Sequence, residues 1–217
     1  MSEFVWPVDI RAHIVDRLEP HHVQGDRTVL AEPWNSDIKL NPGGKPFMPP
    51  MEELRQAAVL VPLVDRPGGM TVLLTIRTDH LSSHAGQVAF PGGRIDDGDT
   101  GPVDAALRET EEEVGIHRSH VNVVSLLDGY STGSGYHITP VVGFVEPGFD
   151  LTAHEHEVAE IFEVPLRHVL DPANHEQRSQ VFRGAMRHYY AVPYDDYNIW
   201  GATAGMLVNL SEKLFLL

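Results

Sequence analysis

Residues 92–116 read GGRIDDGDTGPVDAALRETEEEVGI, and the second half of this stretch decides the architecture. Val103, Ala106, Leu107, Thr110 and Val114 recur at spacings of three and four, the period of a helix that buries one face. Gly115 is the residue type that closes such a helix in the left-handed conformation, so the spacing predicts a helix over 102–114. Its polar side carries Glu109, Glu111, Glu112 and Glu113. At about 100° per residue, Glu109, Glu112 and Glu113 fall within roughly 100° of arc and share one face. Two such charges about 4 Å apart cost on the order of 1 kcal/mol in water and about 4 kcal/mol at a surface-like dielectric. A hard divalent cation offsets that repulsion, because Mg²⁺ takes oxygen ligands and keeps several waters. An isolated Glu-rich helix reads as a solvated face eased by the Arg108–Glu112 pair. The glycine-rich strand exit Phe90-Pro91-Gly92-Gly93 and the turn that follows it point instead to a built site.

Upstream, 57–64 and 70–77 are rich in Val, Leu and Ile and flank Asp65-Arg66-Pro67-Gly68-Gly69, which predicts a β-hairpin. A third short strand is expected at 87–90, stopped by Pro91-Gly92-Gly93. Downstream, 121–127, 137–145 and 158–164 read as strands, 180–182 with 189–192 as a second hairpin around Arg183-Gly184, and 200–215 as a terminal helix. Strands around one central helix predict an α+β fold, an α/β/α sandwich with a mixed sheet. The first fifty residues hold a short helix over 8–18 and a segment crowded with His, Asn, Gly and Pro. The organisation is therefore an N-terminal arm, 1–50, on a domain spanning 51–217.

The chain has 217 residues, 31 Asp plus Glu against 16 Lys plus Arg, and no cysteine. A net charge of −15 repels a phosphate backbone, so no nucleic-acid partner is expected, and an anionic small molecule needs local cations or metal. The longest apolar stretch, 57–64, is far shorter than the roughly 20 residues of a membrane span, so no membrane partner is expected and the location is read as cytoplasmic. Without cysteine there are no disulfides, thiolate metal sites or cysteine nucleophiles. Thirteen histidines invite a zinc reading, but His154 and His156 do not form a helical ligand pair and no third ligand follows at a familiar spacing. The loop Ser131-Thr132-Gly133-Ser134-Gly135 lacks a P-loop lysine and reads as a strand connection.

Residues 92–116 resemble the signature of the Nudix hydrolases, G-x5-E-x7-R-E-U-x-E-E-x-G-U, where U is a bulky aliphatic residue. Arg108, Glu109, Glu112, Glu113, Gly115 and Ile116 match it, and Thr110 takes the U position. Asp99 occupies the slot of the first glutamate, with one extra residue before Arg108. The resemblance implies a Nudix fold whose carboxylate helix binds Mg²⁺ or Mn²⁺, and hydrolysis of a diphosphate bond linking a nucleoside to another group. It implies Glu109, Glu112 and Glu113 as metal ligands, Arg108 as a partner that orients a carboxylate, and Glu112, Glu113 or Glu157 as catalytic groups, Glu157 being a glutamate beyond the helix.

Residues 73–93, LLTIRTDHLSSHAGQVAFPGG, resemble the signature of Nudix enzymes that cleave coenzyme A, L-L-T-x-R-[ST]-x3-R-x3-G-x3-F-P-G-G. Ten positions are in register, Arg77 and Thr78 among them, while Ser82 stands where the pattern has its second arginine. That resemblance implies cleavage of coenzyme A or its derivatives to 3′,5′-ADP and 4′-phosphopantetheine, with Arg77, His84 and Arg94 as substrate-binding residues. The loss of the arginine at Ser82 motivates the alternative, a Nudix diphosphatase acting on ADP-ribose, a dinucleotide or a nucleoside triphosphate. A further reading is a Nudix-shaped nucleotide sensor or interaction module without turnover. The arm either covers the pocket or makes a homodimer contact, and its composition does not choose.

Overall fold

The computed structural model describes residues 4–18, 35–36, 39–41, 49–79, 86–182 and 184–215, with the backbone alone of residues 35, 36, 51 and 182. In chain order the elements are α1 (Ile10–Arg17), β1 (Asn35–Ser36), β2 (Arg55–Val64), β3 (Thr71–Arg77), β4 (Val88–Ala89) and β5 (Gly92–Arg94). They continue with α2 (Pro102–Val114), β6 (Val121–Leu126), β7 (Tyr130–Ser131), β8 (Tyr136–Val145), β9 (Val158–Pro165) and α3 (Leu166–Leu170). The last are β10 (Glu176–Phe182), β11 (Ala185–Tyr194), β12 (Tyr197–Trp200) and α4 (Ala202–Phe215). Among the described residues no helix is long and apolar enough to cross a membrane.

Among the described residues nine strands form one mixed sheet, and β2 is its spine. It runs parallel to β8 along its whole length, from Arg55 opposite Tyr136 to Val64 opposite Val145. The run 57–64 is continuously apolar because both faces of β2 are covered. Val59, Val61 and Leu63 pack with Ile14 of α1, Leu166 of α3 and Leu207, Leu210 and Leu214 of α4, in the main core. Ala58 and Leu60 pack on Ala105 and Ala106 of α2. Helices on both sides of a mixed sheet make the α/β/α sandwich that the order of elements predicts.

The predicted hairpin of β2 and β3 exists but is almost entirely unzipped. Only Leu63–Val72 and Val64–Thr71 pair. β3 then diverges, taking β4 on the same edge through Thr75–Ala89 and Ile76–Val88, and β9 along the other. The edge that β2 has lost is filled by β5, where Ala57, Ala58 and Val59 pair with Arg94, Gly93 and Gly92. Leu60 N donates to Pro91 O, so on this edge Pro62 falls in the gap between the two pairings, where its missing N–H leaves no ladder bond unmade. Pro91-Gly92-Gly93 stops β4, as expected, and its glycines also start β5. The glycines are what permit it: a Cβ on Gly92, at φ +155°, would lie 2.4 Å from Ala58 O and 2.5 Å from Val59 Cα.

The second predicted hairpin is longer than expected, running in register from Glu176–Ala191 to Phe182–Ala185, and β12 adds a third strand. Phe162 and Tyr197 stack with ring centroids 3.8 Å apart, tying this small sheet to β9, and Thr203 Oγ1 donates to Val88 O at 3.0 Å, tying α4 to β4. N-terminal to β2, Ile14 of α1 and Leu18 just after it are buried in the main core, and β1 pairs with β7. Lys39 pairs with Glu212 at 3.2 Å, and the Asn41 amide brackets the backbone of His188, donating to its O at 2.9 Å and accepting from its N at 2.7 Å.

Candidate active site

The carboxylate helix forms where the periodicity predicts. Pro102 occupies its first turn, and Asp104 accepts from Thr100 N at 3.0 Å. Gly115, at φ +78°, ends it by donating to Glu111 O. Thr110 sits fully buried in place of an aliphatic residue because its hydroxyl donates to Ala106 O at 2.6 Å. The last turn leaves two carbonyls open, and the loop after β8 fills them. Thr152 N donates to Val114 O at 3.0 Å and His154 N to Glu113 O at 2.9 Å. That docking carries the chain on to Glu157.

Three carboxylates on one helical face have different surroundings. The Glu113 side chain is 5 % exposed and accepts from Gly92 N at 3.0 Å, with Arg77 Nη1 3.7 Å from its other oxygen. Desolvation pushes Glu113 up to about 7; the Gly92 bond and Arg77 oppose the rise, and Glu109 and Glu157 add to it. Desolvation also raises Glu109, against its pairing with Arg108. Glu112 is 60 % exposed and accepts from Arg108 Nη1 at 3.1 Å. Glu157 is half-exposed, with His154 Nδ1 3.8 Å away, and is close enough to Glu109 and Glu113 to help raise both.

Arg108 organises the outer side of this group. Its Nε and Nη2 donate to the two oxygens of Asp99, both at 2.9 Å, and Nη2 also reaches Arg94 O at 3.2 Å. Nη1 is left for Glu109 at 2.9 Å and Glu112 at 3.1 Å. The Asp99 hydrogen bonds raise the guanidinium above its usual value, and the same bonds hold Asp99 below the carboxylate range. The Asp in the box's first acidic slot is thus the anchor of Arg108, oriented by its own bond from Asp96 N at 2.8 Å.

Of the residues expected at the site, the fold brings together Glu109, Glu112, Glu113, Glu157 and Arg77. Arg94 is exposed on β5, and strand alternation directs it away from the face on which Gly93 meets Glu109. His84 lies outside the described residues, as do His80 and Ser82. Two participants carried no expected role. Gly92 contributes its amide to Glu113, and Thr78 bonds twice to the chain beside Glu157. Glycine between two turn residues is a signal for the first; the second falls on the Ser or Thr position of the pattern at residues 73–93, which marks the residue without giving it a role.

The donor set is carboxylate oxygen only, the chemistry a hard divalent cation prefers. Among the described residues no three His, Asp or Glu side chains already stand as a ligand set, and Arg108 Nη1 donates to both Glu109 and Glu112. The exposed Glu112 can rotate off that contact, and Glu109 and Glu113 already repel one another, so these residues fit such an ion.

The description of the NUDIX domain matches residues 54–185, and the chain belongs to the Nudix hydrolase family. Its class is that of pyrophosphohydrolases, which cut phosphoanhydride bonds. It is 45 % identical over 160 residues to the "Uncharacterized Nudix hydrolase NudL" of Escherichia coli O7:K1 (strain IAI39 / ExPEC), a match covering 74 % of this chain and 83 % of the relative. The NudL of Escherichia fergusonii matches over the same lengths at the same identity. Among solved structures, the Nudix hydrolase RenU from M. smegmatis is 25 % identical with a TM-score of 0.46, covering 54 % of this chain and 74 % of that one.

Proposed function

We propose that this protein hydrolyses the diphosphate bond of a nucleoside diphosphate derivative such as ADP-ribose, a dinucleotide or a nucleoside triphosphate, with Mg²⁺ or Mn²⁺ held by Glu109, Glu112 and Glu113. The observation that carries the reading is the burial of Glu113 beside Glu109 without enough positive charge to settle either. A bound divalent ion would neutralise charge on the phosphate oxygens and acidify a water. Arg77, with Nη1 3.7 Å from Glu113, would bind a phosphate oxygen. Arg108 and Asp99 hold Glu109 and Glu112 in orientation. Glu157, outside the helix and partly open to solvent, would accept the proton of the attacking water, with Glu112 and Glu113 as the competing bases.

Coenzyme A is the second reading, favoured by the register of residues 73–93 with the pattern quoted above and weakened by Ser82. A panel of ADP-ribose, diadenosine polyphosphates, nucleoside triphosphates and coenzyme A, incubated with Mg²⁺ or Mn²⁺ and resolved by chromatography, tests both. Metal-dependent turnover of any diphosphate supports the first, and turnover concentrated on coenzyme A selects the second. Tight nucleotide binding with no turnover across the panel rejects both in favour of a sensor.

A further inference from the structure

Thr78 follows β3 and is buried, and it takes part in no helix or sheet ladder. Its two donors both go to one short stretch of backbone. Thr78 N donates to Glu157 O at 3.0 Å, and Thr78 Oγ1 donates to His156 O at 3.0 Å. These carbonyls lie on either side of the Glu157 Cα. The other end of the same loop is fixed to α2 by the Thr152 and His154 amides on Val114 O and Glu113 O. The segment 152–157 is therefore clamped between the helix that carries Glu109 and Glu113 and the strand that carries Arg77. The β3–β9 register shifts between Ile76 and Arg77 and ends on the pair Arg77–Val158, so Glu157 itself lies just outside the ladder. The turn made by Glu157 N and Val158 N, both on His154 O, ties Glu157 to the residue whose own amide sits on Glu113 O, and Thr78 holds the opposite side of the same turn.

We propose that Thr78 is a positioning residue for Glu157: its hydroxyl and amide set the distance of the Glu157 carboxylate from Glu109 and Glu113. The inference rests on the reading of Glu157 as the proton acceptor. A side chain displaced by about 1 Å from its productive place costs on the order of 100-fold in rate, so even partial release of this clamp is measurable. Thr78→Val keeps the shape and removes the Oγ1 bond, leaving His156 O to solvent.

The test is a double-mutant cycle of Thr78→Val and Glu157→Gln, assayed with ADP-ribose and with coenzyme A in Mg²⁺, alongside amide hydrogen exchange of residues 154–158. Thr78→Val is expected to lower kcat about ten-fold with KM within about two-fold, and to speed exchange at those amides while leaving α2 unchanged. Thr78→Ser restores both. In the Glu157→Gln background Thr78→Val has no further effect on kcat, since the group it positions is already disabled. Full additivity of the two substitutions, or unchanged exchange in Thr78→Val, overturns the inference while Glu157 stays the base. If Glu157→Gln leaves kcat intact, the base reading fails and the inference with it. Should Thr78→Val not fold, Thr78→Ala against Thr78→Ser makes the same comparison.

Discussion

The backbone amide of Gly92 donates to Glu113 Oε2 at 3.0 Å, so the strand exit and the carboxylate helix meet in a single hydrogen bond. The next residue meets the helix differently: a Cβ on Gly93 would stand 2.5 Å from Glu109 Cδ and Oε1. Two adjacent glycines thus face two glutamates four residues apart, one lending a donor and the other lending space.

The two glycines should therefore fail in different ways. Gly92→Ala collides with the Ala58 and Val59 backbone, which cannot move aside, and is expected to destabilise the fold by about 2 kcal/mol or more. Gly93→Ala meets the far end of a flexible side chain, so it should fold with a small loss of melting temperature and lose at least about ten-fold in turnover as Glu109 is displaced. Thermal melts and rates on the two variants check this, and equal losses of stability would contradict it.

Burial of Glu113 makes stability depend on pH in a definite direction. The folded carboxyl titrates near 7 against an ordinary 4.5, so the folded state binds more protons between those values. The contribution of Glu113 to stability is fully present below pH 4.5 and is lost as pH rises through 7, by on the order of 3 kcal/mol. Glu113→Gln removes the charge and keeps an acceptor for Gly92 N. In the presence of a chelator it should be the more stable protein at pH 8, with the difference vanishing near pH 4.5; urea denaturation at both pH values measures it.

Divalent ions should act in the opposite sense. Mg²⁺ or Mn²⁺ at millimolar concentration is expected to raise the melting temperature of the wild type at pH 8, because binding to the folded state alone stabilises it. In Glu113→Gln the rise should be much smaller. A rise of the same size in both would remove Glu113 from the metal ligands.

Asp99→Asn keeps the shape of the Arg108 anchor and removes its charge. Because pairing holds Asp99 below the ordinary carboxylate range, its contribution is present above that range and is lost as pH falls through the lowered value. Loss of this largely buried, two-pronged pair should cost about 1 to 3 kcal/mol at pH 7 and weaken metal binding, since Arg108 also holds Glu109 and Glu112. Chemical denaturation and metal titration read the two effects separately.

Periodicity alone located α2, its cap at Gly115 and the face shared by Glu109, Glu112 and Glu113, because a 3.6-residue repeat and a left-handed glycine are local properties of the chain. The same holds for the long strands, whose apolar runs are dictated by burial on both faces of β2. The short ones were less legible. β5 consists of two glycines and an arginine, and β7 is only two residues long, so their state depends on the edge they find.

Which glutamate is buried, and what converges on it, was decided only by the tertiary structure. The unzipping of β2 from β3 opens the gap that β5 fills, and this sets Gly92 against Glu113 and directs Arg94 away. Arg77 and Glu157, 80 positions apart in the chain, meet the helix because β9 pairs with β3 and its preceding loop caps α2. A helical face lists which carboxylates can cooperate; desolvation and partner choice depend on elements distant in sequence, and those fix the role each one takes.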